Sequence, residues 1–153
     1  MCRGNESYEN LLDDAPQCNA FGCGTVFSLT PPASKGRSWT EAVICAFPSV
    51  QGGGARPVGG VVFGKGGSLY GTTELGGASN AGTVFALVPT TNGGAWTHQV
   101  LYEFTGEADG AEPIGTLAVG PTGTLYGTAS IGGNTAGFCQ DFFGCGVVFA
   151  VVP

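Results

Sequence analysis

Apolar residues in this chain come in short bursts, and no segment longer than a few residues repeats them at the 3.6-residue helical spacing. Gly, Pro or Asn-Gly interrupts the pattern roughly every 8 to 15 residues. That rhythm predicts an all-β chain, with strands over 24–29, 39–47, 57–64, 68–73, 82–88, 96–104, 113–120, 124–129 and 146–152. The runs at 58–63 and 146–152 are almost continuously apolar, which predicts burial on both faces of the sheet. Lys65-Gly66-Gly67 and Pro121-Thr122-Gly123 fit short hairpin turns, and residues 89–95, with Asn92-Gly93-Gly94, fit a longer one.

The strands repeat. Gly24-Thr25-Val26-Phe27 returns as Gly82-Thr83-Val84-Phe85 and as Gly146-Val147-Val148-Phe149, and Leu69-Tyr70-Gly71-Thr72 returns as Leu125-Tyr126-Gly127-Thr128. Trp39, Phe47 and Pro57 recur as Trp96, Phe104 and Pro113, a period of roughly 56 to 58 residues. Four antiparallel strands in a repeat of that length describe a propeller blade. A solenoid wants a shorter coil, and a sandwich has no reason to repeat at this interval. With blade strands labelled A to D, residues 18–56 form a partial blade (C, D), 57–112 a complete blade, and 113–153 a partial blade (A, B, C), after an N-terminal extension, 1–17. The expected fold is β-propeller-like, with four-stranded antiparallel blades, about two and a quarter of them, and open edges.

The run Leu69 to Gly77, then Gly82 to Leu87, then Trp96 and the aromatic strand ending at Phe104, then Asp109-Gly110-Ala111-x-Pro113, resembles the bacterial extracellular tandem repeat called GloVer. The resemblance spans roughly residues 20–153. It implies a secreted or surface-anchored, propeller-like repeat protein. It implies no established activity and transfers no catalytic residues.

Composition narrows the partners. Only 10% of the residues are charged, against about 25% in ordinary soluble domains, and glycine supplies 29 of 153. A surface this neutral favours association with copies of itself. The net charge of −6, without a Lys/Arg cluster, argues against nucleic acid. No apolar window is long enough to span a bilayer, and the polar N-terminus has no signal core, so any secretion signal is expected to be removed or to lie outside these residues. The even count of six cysteines favours an oxidising, extracellular or cell-surface location. Asn5-Glu6-Ser7 is a lone glycan acceptor pattern.

Cys18 and Cys23 precede the first Gly-Thr-Val-Phe, and Cys139 and Cys145 precede its third version, in a loop longer than the cysteine-free one at 78–81. Insertion and cysteine pair arrive together, which predicts two local disulfides, Cys18–Cys23 and Cys139–Cys145. A four-thiolate zinc site is the competing reading, although the loops contain no His. Cys2 and Cys45 either pair, or Cys45 is a core residue, since Tyr102 takes its place in the next repeat.

Other chemistry is sparse. Asp109 and Glu112 align with Gly53 and Arg56, so the loop does not need carboxylates to fold, and an Asp-Gly turn is simpler than calcium. Nothing pairs two acids as a hydrolase requires. The single histidine, His98, reads as a solvated residue of an outer strand, and no nucleophile elbow, phosphate loop or zinc motif occurs. The chain is expected to have no catalytic residues, no metal and no cofactor. Phe21, Phe138, Phe142 and Phe143 sit in the cysteine loops and form a candidate ligand surface, unless their rings simply cap the blade ends.

Two functions remain. One is a non-enzymatic extracellular structural or adhesive protein that self-assembles into an oligomer or filament through exposed strand edges, above all Gly146, Val147, Val148, Phe149 and Val151. The other is a carbohydrate-binding propeller module that uses the disulfide-closed aromatic loops, with Trp39 or Trp96 as stacking platforms.

Overall fold

Each of the nine expected strands contributes a strand to the computed structural model, which describes residues 23–47, 53–91 and 95–153 and contains no α-helix among them. The middle repeat forms a complete four-stranded antiparallel sheet in the order β3 (Val62–Phe63), β4 (Leu69–Thr73), β5 (Thr83–Pro89), β6 (Trp96–Glu103). The first repeat supplies a two-stranded sheet, β1 (Thr25–Thr30) with β2 (Thr40–Ala46). The third is built from β7 (Ala118–Val119), β8 (Leu125–Ala129) and β10 (Gly144–Val151), with an unexpected β9 (Gly132–Gly133) running parallel to the start of β10. The expected turn containing Asn92-Gly93-Gly94 lies outside the described residues.

Repeat equivalence extends to fine geometry. The β1–β2 ladder is interrupted between Val26 and Phe27, and the β5–β6 ladder between Val84 and Phe85, so Ile44 and Leu101 are the extra residues of the same bulge. Such a bulge bends and twists a strand. Val and Phe of Gly-Thr-Val-Phe alternate to opposite faces as consecutive strand residues do, and the bulge places one extra residue in β2 and β6 at that same step.

The faces decide how the sheets stack. Val84 and Thr72 lie opposite each other on one face of the middle sheet, and Phe85 on the other. Phe85 joins Leu69, Leu87 and Ala55 in a core with Cys23, Val26, Cys45 and Phe47 of the first repeat. Val84 joins Ala81 and Phe104 in a second core with Ala111, Leu117, Leu125 and Ala129 of the third repeat, against which Phe149 also packs. The middle sheet is therefore covered on both sides, but the runs expected to be buried on both faces, 58–63 and 146–152, are not: Val58, Phe63 and Val148 are exposed, because the first segment leaves its ladder and no further described sheet covers the third. Each joint centres on two phenylalanines meeting edge to face. Phe47 meets Phe85 at 5.0 Å and 76°, and Phe104 meets Phe149 at 5.0 Å and 67°.

Two expected strands are much shorter than their apolar pattern. Only Val62–Phe63 of 57–64 and Ala118–Val119 of 113–120 pair in the ladder. The preceding residues instead run against the neighbouring sheet. The Gly60 amide donates to Thr116 Oγ1 at 3.0 Å, Thr72 Oγ1 donates to the Gly115 carbonyl at 3.2 Å, and a Cβ on Gly59 would lie 2.7 Å from that carbonyl oxygen. Glycine's missing side chain allows this approach, and the approach takes the segment out of its own ladder.

Contrasting burial of equivalent valines gives a stability test. Val84 is 0% exposed and Val148 80%. Val84→Ala is expected to cost about 2 kcal/mol in urea unfolding, from lost burial and an unfilled cavity. Val148→Ala, measured at a dilution that prevents association, is expected to change stability by less than about 0.5 kcal/mol.

Candidate functional site

Strand β10 pairs with β8 from Val147↔Ala129 to Val151↔Leu125. Strand β9 reaches only Gly144 and Gly146, and no described strand takes the place beside residues 147–151 that β6 takes beside β5. The expected edge residues are thus brought together as an open rim. Beside it runs a groove of about 260 Å³, lined by Tyr102, Phe104, Ala108, Asp109 and residues 147–151. The rim beside it offers the unpaired backbone groups that an added strand needs.

The loop before β10 is a 3-10 turn, Gly137–Phe142, closed by the expected Cys139–Cys145 disulfide. Phe143 follows it in the left-handed region at φ 60. Phe138 and Phe142 touch at 4.9 Å between ring centres, and Phe138, Phe142 and Phe143 are all exposed. Their rings do not cap the third sheet; the short disulfide-closed loop holds them outward. Phe21, the fourth member of the expected ligand surface, lies outside the described residues. Trp39 is exposed, whereas Trp96 packs partly buried against the first core, so Trp39 is the more accessible of the two candidate platforms.

Cys23 and Cys45 are both buried and disulfide-bonded. Their expected partners, Cys18 and Cys2, lie outside the described residues. Among the described residues no group of three His, Cys, Asp or Glu side chains could hold a metal ion.

Asp109 is occupied structurally. It accepts hydrogen bonds from the Thr105 amide, from Thr105 Oγ1 and from the Tyr102 hydroxyl. Burial pushes its carboxyl upward, but the donors from Thr105 and Tyr102 outweigh it and hold the group below its ordinary range. Accepting that bond onto the carboxylate also pushes the Tyr102 phenol upward, with smaller contributions from burial and from the Asp109 charge. Glu112 and its counterpart Arg56 are both in the left-handed region, at φ 53 and 58. Their amides donate to the Ala81 and Cys23 carbonyls of their own repeat and their carbonyls accept from the Ser130 and Glu74 amides of the next, so the position is a backbone clasp in which the side chain is free to differ.

His98 corrects its expected place. It is buried, not solvated, packing against Phe47 at 5.4 Å and Phe85 at 5.8 Å between ring centres, with no hydrogen-bond partner for Nε2 among the described residues. The sheet stack causes this, because the first repeat covers the face that strand β6 presents. Burial pushes the imidazole below its ordinary 6.5.

Features missed by sequence reasoning are the two outer faces of the stack. Phe27, Leu29 and Val43 are exposed on the first sheet, and Tyr126 and Val148 on the third. The signal was present in the repeat, since each of these positions has a counterpart in the middle sheet.

These features define a class: an all-β tandem-repeat protein of face-stacked antiparallel sheets with open ends. The family model of the Gloeobacter/Verrucomicrobia repeat matches residues 12–153, and the chain belongs to that family. No curated protein and no solved structure matches the chain significantly.

The His98 environment sets a pH dependence. The unfolded chain takes up the imidazole proton near 6.5 while the folded chain resists it, so stability is full above that pH and falls as pH drops through the window below it. The urea midpoint is expected to decline as pH is lowered from neutrality, and His98→Leu is expected to flatten the decline between neutrality and the carboxylate range.

Proposed function

We propose that this is a non-enzymatic extracellular structural or adhesive protein that assembles with copies of itself into an oligomer or filament through its open strand edge. The observation that carries this reading is the fate of one repeated strand. In the middle sheet its Val-Phe-Ala-Leu core (84–87) is wholly buried, whereas in the third sheet Val148 stands in solvent and residues 147–151 have an unpaired rim. A rim of that kind recruits another strand by backbone pairing. Membership of a repeat family, the near absence of charge and the disulfide-bonded cysteines support an oxidising environment in which chains associate. Among the described residues, no helix is long and apolar enough to cross a membrane.

A second reading, carbohydrate binding, is favoured by one feature. Phe138, Phe142 and Phe143 are held outward on a disulfide-closed loop, a preorganised aromatic surface suited to stacking on sugar rings. Light scattering on the purified chain at micromolar concentration is expected to show species heavier than 15.3 kDa, and a monodisperse monomer would contradict the assembly reading. On a glycan array, binding abolished by Phe142→Ala with Phe143→Ala, in a chain that does not associate, would favour the second.

A further inference from the structure

We propose that the partner of the open end is the opposite end of a second copy, with the outer face of the third sheet of one chain seated on the outer face of the first sheet of the next. This rests on the self-assembly reading and specifies its surfaces and polarity. The two internal joints show what such faces look like when covered. At each, one sheet presents its forward face and the next its rear face, and the contributing positions are repeat equivalents.

On the forward side, Val26 and Val84 face the next sheet and are at most 6% exposed, and Thr72, opposite Val84, is buried with its hydroxyl on the Gly115 carbonyl. The third sheet carries the same set. Val148 lies opposite Thr128, and Tyr126 lies opposite both Ala118 and Ala150, all exposed. A groove of about 470 Å³, lined in part by Ile114, Thr128 and Val148, lies on this face. Its Thr128 stands where Thr72 receives the Pro-Ile-Gly-Thr segment of the following repeat.

The rear side shows the mirror situation. Phe85 and Leu87 are 0% exposed on the middle sheet, and Phe149 is held against Phe104. On the first sheet their counterparts Phe27 and Leu29, with Val43 opposite Phe27, are each more than half exposed. The forward face of the third sheet and the rear face of the first thus carry repeat equivalents of side chains that the two internal joints bury, while the described residues hold no counterpart there of Phe47 and Phe104 or of the glycines under the rings. The proposed contact continues an interface established within the molecule. Because the two faces differ, the contact is heterologous and propagates into a ring or a filament.

One charge lies on the rear face. Glu41, opposite Leu29, takes the position that His98 takes in the middle sheet. His98 is covered by Phe47 from the last strand of the preceding sheet. The described third sheet has no strand at that place, so Glu41 of the arriving copy keeps its water.

Two variants that block opposite ends make the test. Val148→Lys spoils the forward face and Phe27→Lys the rear face, and both replace residues already exposed in the single chain. Each alone is expected to weaken assembly by about tenfold or more, since a buried unpaired ammonium is poorly tolerated. At a concentration where the unaltered chain assembles, each variant should run as a monomer by light scattering. Mixed in equal amounts, they should form a one-to-one pair, because each supplies the face the other lacks. Ala118→Lys and Leu29→Lys form a second set on the same faces should either first variant lose its β-sheet circular dichroism. If the unaltered chain assembles and both variants assemble equally well, the contact runs through edges alone and this inference falls while self-assembly stands. Homodimers of each variant that do not exchange on mixing would show like faces meeting like and would also overturn it. A monomeric unaltered chain would overturn both readings.

Discussion

Everything in this fold is arranged around one contact: a phenylalanine ring lying over a glycine of its own sheet and meeting the edge of a phenylalanine from the sheet before. Phe85 lies over Gly71, where an added Cβ would come within 2.6 Å of the ring, and Phe149 lies over Gly127 in the same way. Phe47 and Phe104, at the ends of the preceding sheets, complete the two pairs. Edge-to-face pairs contribute about 0.5–1.5 kcal/mol beyond the area they bury. The larger consequence is geometric, because the glycine lowers the ring into its sheet and lets the sheets approach. The Leu-Tyr-Gly-Thr and Gly-Thr-Val-Phe motifs are therefore two parts of one joint, which explains why the second and third copies of the latter each follow a copy of the former. Their tyrosines act similarly at the other side of the hairpin, where Tyr70 and Tyr126 lie over Gly64 and Gly120.

That coupling made most of the fold legible. Apolar bursts placed nine of the ten described strands, and the period assigned them to equivalent positions before any contact was known. The Cys139–Cys145 loop was legible for a similar reason, since insertion and cysteines are absent together from the middle repeat. Besides the outer faces, three features escaped. The first segments, 57–61 and 113–117, carry a strand's composition but spend their glycines on crossing to the neighbouring sheet. Strand β9 is two glycines, with no side chain to announce it. His98 looked polar and peripheral, and only the arrival of Phe47 from another sheet buries it. The first and the last depend on what a neighbouring sheet does, which local pattern does not encode.

The stack also explains the sparse chemistry. Its polar side chains are used within the repeats: Asp109 ties its turn to Tyr102, Thr73 and Thr83 share a buried hydrogen bond at 2.8 Å, and the Arg56 and Glu112 backbones clasp successive repeats. Identical positions in successive sheets serve packing, and a reaction centre would have to break that identity. The places where the repeats differ are the disulfide-closed phenylalanine loop and the two uncovered ends.

Hydrogen–deuterium exchange followed by mass spectrometry across a dilution series tests this most directly. Amides of β5 should be protected at every concentration, because both faces of the middle sheet are covered within one chain. Amides of β1 that point away from β2, and amides of residues 147–151 that point away from β8, should exchange rapidly in dilute solution and slow together as concentration rises and copies cover them. Exchange in those two strands that stays the same from dilute to concentrated protein would contradict the account.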